Sequence, residues 1–132
     1  MNVRQIIKRF TIFIYHIFLK VLNVNNKVIF FESSVGRNYS SNPKYVYEEM
    51  IKQGLDQKFK CIWSLEDLSI EIPGNAKKVK RTRLNYLYYL AIAKIWICDS
   101  RQPAFLVKRP ETIYIQLWHG TPLKKLAMDL DV

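Results

Sequence analysis

The amino-acid sequence predicts an α/β fold built on a parallel sheet, and three observations support this prediction. Short runs of β-branched and aromatic residues alternate along the chain with helical segments. Each run is almost continuously apolar, which is typical of strands that are buried on both faces. Apolar residues make up 49% of the 132 residues, which is enough for a packed core and excludes a disordered chain. These features predict a Rossmann-like half-domain that is preceded by an amphipathic helix.

Residues 1–22 are predicted to form the amphipathic helix. At about 100° per residue, apolar and polar side chains separate onto two halves of the helical wheel. The apolar half contains Ile6, Ile7, Phe10, Phe13, Ile14, Ile17, Phe18 and Val21. The polar half contains Arg4, Gln5, Lys8, Arg9, Thr11, Tyr15, His16 and Lys20.

A wide apolar face beside a basic face is typical of a helix that lies in the membrane interface. We therefore expect binding to an anionic membrane surface through Phe10, Phe13, Ile17, Lys8 and Arg9. Packing of this helix on a protein domain is the alternative. A membrane span is disfavoured because it needs about 20 apolar residues, and a secretory signal is disfavoured because no small-residue cleavage site follows.

Residues 27–132 are predicted to form the Rossmann-like domain. Its five strands are predicted at residues 27–32, 59–65, 76–82, 95–99 and 112–117. A first helix begins with Asn42 as N-cap and Pro43 in the first turn, and it stops at Gly54. A second helix covers residues 84–93, and Thr121 with Pro122 opens a third. Because the chain ends about three turns into this last helix, we expect the domain to be incomplete.

The charge balance narrows the classes of partner. The sequence has 21 Lys and Arg against 11 Asp and Glu, which gives a net charge of +10. Such an excess favours a nucleic acid, an anionic lipid or a phosphate-rich substrate. Nucleic acid is the least favoured of these, because no nucleic-acid-binding motif accompanies the charge. Five of the cations fall within seven residues, at Lys77, Lys78, Lys80, Arg81 and Arg83.

The cysteines and the possible metal ligands indicate little about the function. Cys61 and Cys98 are isolated, which excludes a disulfide framework or a zinc knuckle and fits a reduced, cytosolic compartment. No cluster of metal-ligand residues is visible, so we expect no cofactor, and a requirement for Mg²⁺ stays open.

Candidate site residues follow the predicted strands, because α/β sheets bind ligands beyond the carboxyl ends of their strands. Arg37 follows the first strand and Arg101 the fourth, where either guanidinium could hold a phosphate by two parallel hydrogen bonds. Asp99, at the end of the fourth strand, suits a loop cap as well as a chemical role. No GxGxxG motif is present, so a dinucleotide site is not supported.

The segment after the fifth strand contains the residues best suited to catalysis and phosphate binding. His119 stands between a strand and a helix, where it could serve as a general base toward a hydroxyl group. Gly120 permits close approach of a ligand, Thr121 can cap the helix, and Lys124 adds positive charge one turn later. The amino terminus of a helix attracts phosphate. A structural histidine that hydrogen-bonds to a loop carbonyl is the alternative.

The run at residues 114–126, with its core WHGTPLKK, resembles the signature of the CDP-glycerol glycerophosphotransferase family, the teichoic acid primases and polymerases. Weaker resemblances occur in the same order as in the family. They lie at residues 31–33, 42–44, 79–81, 93–94 and 99–103. The similarity extends over residues 28–131, and Ala127 departs from the family's glycine.

The resemblance implies a domain pair in a glycosyltransferase-B-like arrangement, with this chain as the amino-terminal, acceptor-side half. Members transfer glycerol phosphate from CDP-glycerol to a hydroxyl of a membrane-linked polyprenyl or teichoic acid acceptor, and they release CMP. They are peripheral proteins at the cytoplasmic face of the membrane. By the same resemblance, the family's motif histidine, here His119, deprotonates the acceptor.

The resemblance also places the donor site mainly in the carboxyl-terminal domain, so residues 1–132 alone are expected to be inactive. Two other functions remain open: a non-catalytic, membrane-docked binding module from a truncated gene, and a basic nucleic-acid-binding protein. The acceptor, and the choice between a primase and a polymerase, are not specified.

Overall fold

A computed structural model describes residues 2–100, 102 and 106–117. Its helices are α1 (Val3–Val21), α2 (Ser41–Lys52) and α3 (Leu84–Ile92). Its strands are β1 (Asn25–Glu32), β2 (Lys60–Leu65), β3 (Lys77–Lys80), β4 (Ala93–Cys98) and β5 (Ile113–Gln116). Short 3-10 turns lie at Ser34–Gly36 and Leu55–Gln57. The helix predicted to open at Thr121 lies outside the described residues.

The five strands form one sheet in the order β3-β2-β1-β4-β5. All four neighbouring pairs are parallel, and in the centre Phe30 pairs with Ile62 on one side and with Trp96 on the other. The predicted α/β class with a parallel sheet is therefore confirmed. Beyond β1 the chain builds outward to β2 and β3, and then returns to the other side of β1 for β4 and β5. The carboxyl ends of β1 and β4 thus form the switch point of the sheet, where α/β folds bind ligands.

Alternate residues of β1 enter two separate cores, because successive strand side chains point to opposite faces of a sheet. Val28 and Phe30 pack with α3 and part of α1, whereas Ile29 and Phe31 pack with α2. Each of these four side chains is buried. Covering both faces explains why the strands read as continuous apolar runs instead of alternating ones.

Helix α1 packs on its own domain along part of its surface. The side chain of Tyr15 is fully buried, and its hydroxyl donates a 2.7 Å hydrogen bond to the carbonyl of Val107. At the other end, Arg109 donates to the carbonyls of Phe18 and Leu22, which caps the last turn. The assignment of Tyr15 to the polar half was wrong, because its burial depends on a segment 92 residues away in the sequence.

A second surface of α1 remains exposed, and it is apolar. Phe10 and Phe13 are each 62% exposed, and Ile17 is 41% exposed. They belong to a row of large apolar side chains that we call the α1 stripe: Val3, Ile6, Ile7, Phe10, Phe13, Ile17 and Val21. One face of α1 therefore packs on the domain, as the packing alternative predicts. Another face is apolar and exposed to solvent, as membrane binding requires.

Helix α2 begins earlier than the cap-and-proline pattern predicts. Ser40, not Asn42, is the N-cap, and the first helical hydrogen bond runs from Lys44 N to Ser40 O. Pro43 therefore occupies the third position of the helix. At this position a backbone N–H has no partner within the helix, so the proline costs no hydrogen bond. The predicted stop is confirmed, because Gly54 follows the C-cap Gln53 with a left-handed φ of 74°.

Candidate functional site

The site begins at the switch point, where the ends of β1 and β4 lie side by side. Glu32 pairs with Cys98 in the sheet, and Asp99 N donates to Glu32 O at 3.4 Å. On the far side of β4, Leu117 N donates to Cys98 O at 2.6 Å. The chain therefore leaves β5 at the same edge, two residues before His119.

The loop after β1 is held in an unusual conformation above this edge. Ser34, Val35 and Gly36 have φ values of 49°, 55° and 80°, three left-handed residues in succession. Such a conformation is costly for a β-branched residue such as Val35 and persists only where the surroundings hold it. Here Ser34 N donates to Asp99 Oδ1 at 2.9 Å. Gly36 is required because an added Cβ would lie 3.1 Å from Arg81 Cδ and 3.3 Å from Glu66 N.

Asp99 is buried, and it holds the loop by one oxygen only. Its Oδ1 accepts the Ser34 amide at 2.9 Å and lies 3.3 Å from the Ser100 hydroxyl. Its Oδ2 is buried and has no hydrogen-bond partner among the described residues. Asp99 therefore caps the loop through Oδ1, and its buried Oδ2 is an unsatisfied acceptor within the described part of the chain.

Below the loop lies a buried polar cluster around Glu32, which is 1% exposed. Ser64 Oγ donates to Glu32 Oε2 at 2.8 Å, and Arg81 Nε lies 3.4 Å from the same oxygen. Gln102 Nε2 donates to Glu32 Oε1 at 3.3 Å, and the Tyr86 hydroxyl donates to the side-chain oxygen Oε1 of Gln102 at 2.6 Å. Burial raises the pKa of Glu32, and the nearby Arg81 and the hydrogen bonds only partly oppose this effect. The cluster joins the ends of β1, β2, β3 and β4.

Sequence reasoning missed this cluster. The available signal was a glutamate at the end of an otherwise apolar strand, since a charged residue there needs partners once it is buried. Its partners come from positions 32 to 70 residues away, which a strand pattern cannot indicate.

The predicted site residues fall into three groups. Arg37 is exposed and directly follows the strained loop. Arg101, His119, Gly120, Thr121 and Lys124 lie outside the described residues. The predicted membrane residues Phe10, Phe13, Ile17, Lys8 and Arg9 are all exposed on α1.

Cys61 and Cys98 are buried free thiols. Burial raises the pKa of Cys61 to about 11 and raises that of Cys98 further, which makes both poor nucleophiles. Within residues 2–100, 102 and 106–117, no group of three or more His, Cys, Asp or Glu side chains could hold a metal ion. In the same part of the chain, no helix combines the length and the apolar character that crossing a bilayer requires.

The fold and the polar edge define an α/β domain with a parallel sheet and buried polar residues at its switch point. Residues 13–132 match the family described as CDP-Glycerol:Poly(glycerophosphate) glycerophosphotransferase. The chain belongs to this family.

Named relatives agree with this assignment. The chain is 44% identical over 111 residues to a teichoic acid poly(glycerol phosphate) polymerase of Staphylococcus epidermidis, covering 83% of this chain and 15% of the relative. It is 37% identical over 123 residues to a protein of the same name from Bacillus spizizenii, covering 89% and 31% respectively. The chain thus spans less than a third of the length of either relative.

A solved structure agrees as well. The wall teichoic acid polymerase TagF, in a histidine-to-asparagine variant soaked with CDPG, superposes with a TM-score of 0.75 at 36% identity. The match covers 90% of this chain and 30% of that one. The chain therefore resembles members of this family in its fold as well as in its sequence.

Proposed function

We propose that this chain supplies the acceptor side of a CDP-glycerol glycerophosphotransferase that acts in teichoic acid synthesis. The observation that carries the proposal is the family match across residues 13–132, which includes the WHGTPLKK run. In support, Leu117, the residue directly before this run, donates its backbone N–H to Cys98 at the end of β4. The donor is CDP-glycerol, and the acceptor is a membrane-linked polyprenyl or teichoic acid chain.

In the proposed reaction, His119 takes the proton from an acceptor hydroxyl. The acceptor oxygen then forms a bond to the phosphorus that carries glycerol, and the bond from that phosphorus to the CMP oxygen breaks. CMP leaves with the electron pair. We propose that Gly120 gives the migrating phosphate room, that the helix predicted to start at Thr121 supplies amide donors, and that Lys124 offsets the phosphate charge.

Arg37 and Arg101 are proposed to hold phosphate groups of the acceptor or donor. Arg37 is exposed at the end of a loop whose conformation is fixed by Asp99 and Gly36. A guanidinium on a rigid loop loses less conformational entropy when it binds an anion than one on a mobile loop. This supports a binding role for Arg37.

The test is a His119→Asn change in a complete enzyme that carries this domain. Asparagine keeps a hydrogen-bonding group but removes the base, so we expect kcat to fall by roughly 10² to 10⁴. KM for CDP-glycerol should change little, because the family's donor site lies mainly in the other domain. Steady-state CMP release measures both constants.

The chain contains one other histidine, His16, which is exposed on α1 and provides the matched control. His16→Asn should retain full activity. Thermal melting of both variants separates loss of chemistry from loss of folding. A fully active His119→Asn enzyme that melts normally would contradict the proposed role.

We further propose that the protein is peripheral at the cytoplasmic face of the membrane and docks through α1. The support is the α1 stripe, which leaves Phe10, Phe13 and Ile17 exposed beside the cations Lys8 and Arg9. An exposed apolar row with flanking positive charge suits an anionic lipid surface.

A further inference from the structure

Two adjoining hollows lie between α1 and the turn that joins β3 to α3. One, of about 410 Å³, is lined by Ile7, Glu66, Lys80, Arg81, Thr82 and Arg83. The other, of about 850 Å³, is lined by Arg4, Ile7, Lys8, Thr11, Arg81 and Thr82. Since they share Ile7, Arg81 and Thr82, we treat them as one feature and call it the basic hollow.

The basic hollow collects cations that the sequence keeps apart. Arg4 and Lys8 come from α1, and Lys80, Arg81 and Arg83 come from a segment more than 70 residues later. Glu66 is the acid in its lining, against five cations, of which Arg81 also pairs with the buried Glu32. Converging cations with few acids favour a multiply hydrogen-bonded anion such as phosphate.

The five cations at residues 77–83 fall into two groups that have different contacts. Lys77 Nζ lies 5.3 Å from the ring centre of Tyr89, and Lys78 Nζ donates to the carbonyls of Leu68 and Ile70. These two lysines stabilise the domain. Lys80, Arg81 and Arg83 line the basic hollow instead.

Arg81 is held in place from below. Its Nε lies 3.4 Å from the buried carboxylate of Glu32, and its Cδ fills the space where a side chain at Gly36 would begin. The next residue, Thr82, has a φ of 67°, which is rare for a β-branched residue. The ion pair with Glu32 holds the guanidinium at the edge of the basic hollow, and its planar set of donors suits a planar or tetrahedral oxyanion.

The location of the hollow indicates the source of the anion. Ile7 lines both parts and is 59% exposed within the α1 stripe. When the stripe enters the acyl boundary of a bilayer, the adjoining cations lie at the level of the lipid headgroups. We propose that the basic hollow binds the phosphate of an anionic phospholipid headgroup. This inference rests on the proposed docking of α1.

The first experiment needs no membrane. Inorganic phosphate is titrated into the 132-residue chain, and amide shifts are followed by ¹⁵N NMR. We expect saturable shifts concentrated at Ile7, Lys8, Thr82 and Arg83. They should weaken about 10-fold or more when Arg4→Gln and Lys8→Gln are combined, since two of five cations are lost.

The matched control removes the same charge elsewhere. Lys52 and Lys58 are exposed and do not line the hollow, so Lys52→Gln with Lys58→Gln should leave the phosphate shifts unchanged. Absent shifts, or equal weakening in both double variants, would overturn the site. Thermal melting verifies that both variants fold.

The second experiment identifies the source of the phosphate. Flotation is measured with phosphatidylglycerol vesicles and with phosphatidylcholine vesicles. The Arg4→Gln, Lys8→Gln chain should bind phosphatidylglycerol vesicles about 10-fold more weakly than the unchanged chain. The control pair should change this binding much less. If phosphate binding falls but flotation does not, the lipid assignment is wrong. The phosphate titration contains no membrane, so it tests the basic hollow even if α1 does not dock on a bilayer.

Discussion

At the scale of single residues, Glu32 shows how burial changes the role of a charged side chain. Its carboxylate contacts Ser64, Arg81 and Gln102 inside the domain. Removing the carboxylate leaves Ser64 and Gln102 without their buried partner, and an unsatisfied buried polar group costs about 1 to 3 kcal/mol. We therefore expect Glu32→Ala to lower the free energy of unfolding by about that amount at neutral pH, as measured by urea denaturation. The exposed Glu71→Ala is the control, and an equal loss there would contradict the argument.

The same residue also gives a pH dependence. Because burial raises the pKa of Glu32 in the folded state, ionisation costs stability as pH rises through that pKa. Relative to Glu32→Gln, the unchanged chain should gain stability as pH falls from 7 toward the ordinary glutamate value of about 4.3. A relative loss over that range would mean that the Arg81 pairing outweighs burial.

At the scale of elements, α1 has two apolar surfaces with different partners. Tyr15, Phe18 and Leu22 face the domain, whereas the α1 stripe faces solvent. Replacing Phe10, Phe13 and Ile17 with Ser should weaken binding to phosphatidylglycerol vesicles at least about 100-fold, since each buried apolar side chain contributes about 1.5 to 3 kcal/mol.

The flotation measurement has a control in three other exposed apolar side chains elsewhere on the surface. Tyr45, Leu68 and Val107 are 64%, 43% and 51% exposed and lie outside the stripe. Their replacement with Ser should leave flotation unchanged. Unaltered flotation of the stripe variant would contradict docking through α1.

Elements also differ in how far local sequence determines them. The strands and α3 lie within one or two residues of their predicted bounds in most cases, because apolar runs and flanking Gly or Pro are local signals. The start of α2 differs because tertiary bonds hold Ser40. Its amide donates to Ser33 Oγ, and this loop bond fixes where the helix begins.

At the scale of the whole molecule, the chain belongs to the glycerophosphotransferase family but spans only part of the length of its named relatives. The family's donor site is expected mainly in the other domain, and this chain spans 15% to 31% of its named relatives. Residues 1–132 by themselves should therefore release no CMP from CDP-glycerol above a heat-inactivated control. Turnover by the purified 132-residue chain would show that the donor site lies within it.

The sequence by itself determined the α/β class, the parallel sheet and the family. Apolar periodicity and caps act over a few residues, and the WHGTPLKK run is contiguous, so these features need no knowledge of packing. The tertiary structure alone decided that Tyr15 is buried, that Glu32 anchors Arg81, and that Arg4 and Lys8 join Lys80 and Arg83. The physical reason is sequence separation: contacts between residues tens of positions apart form only when the sheet brings the elements together, and local patterns carry no record of them.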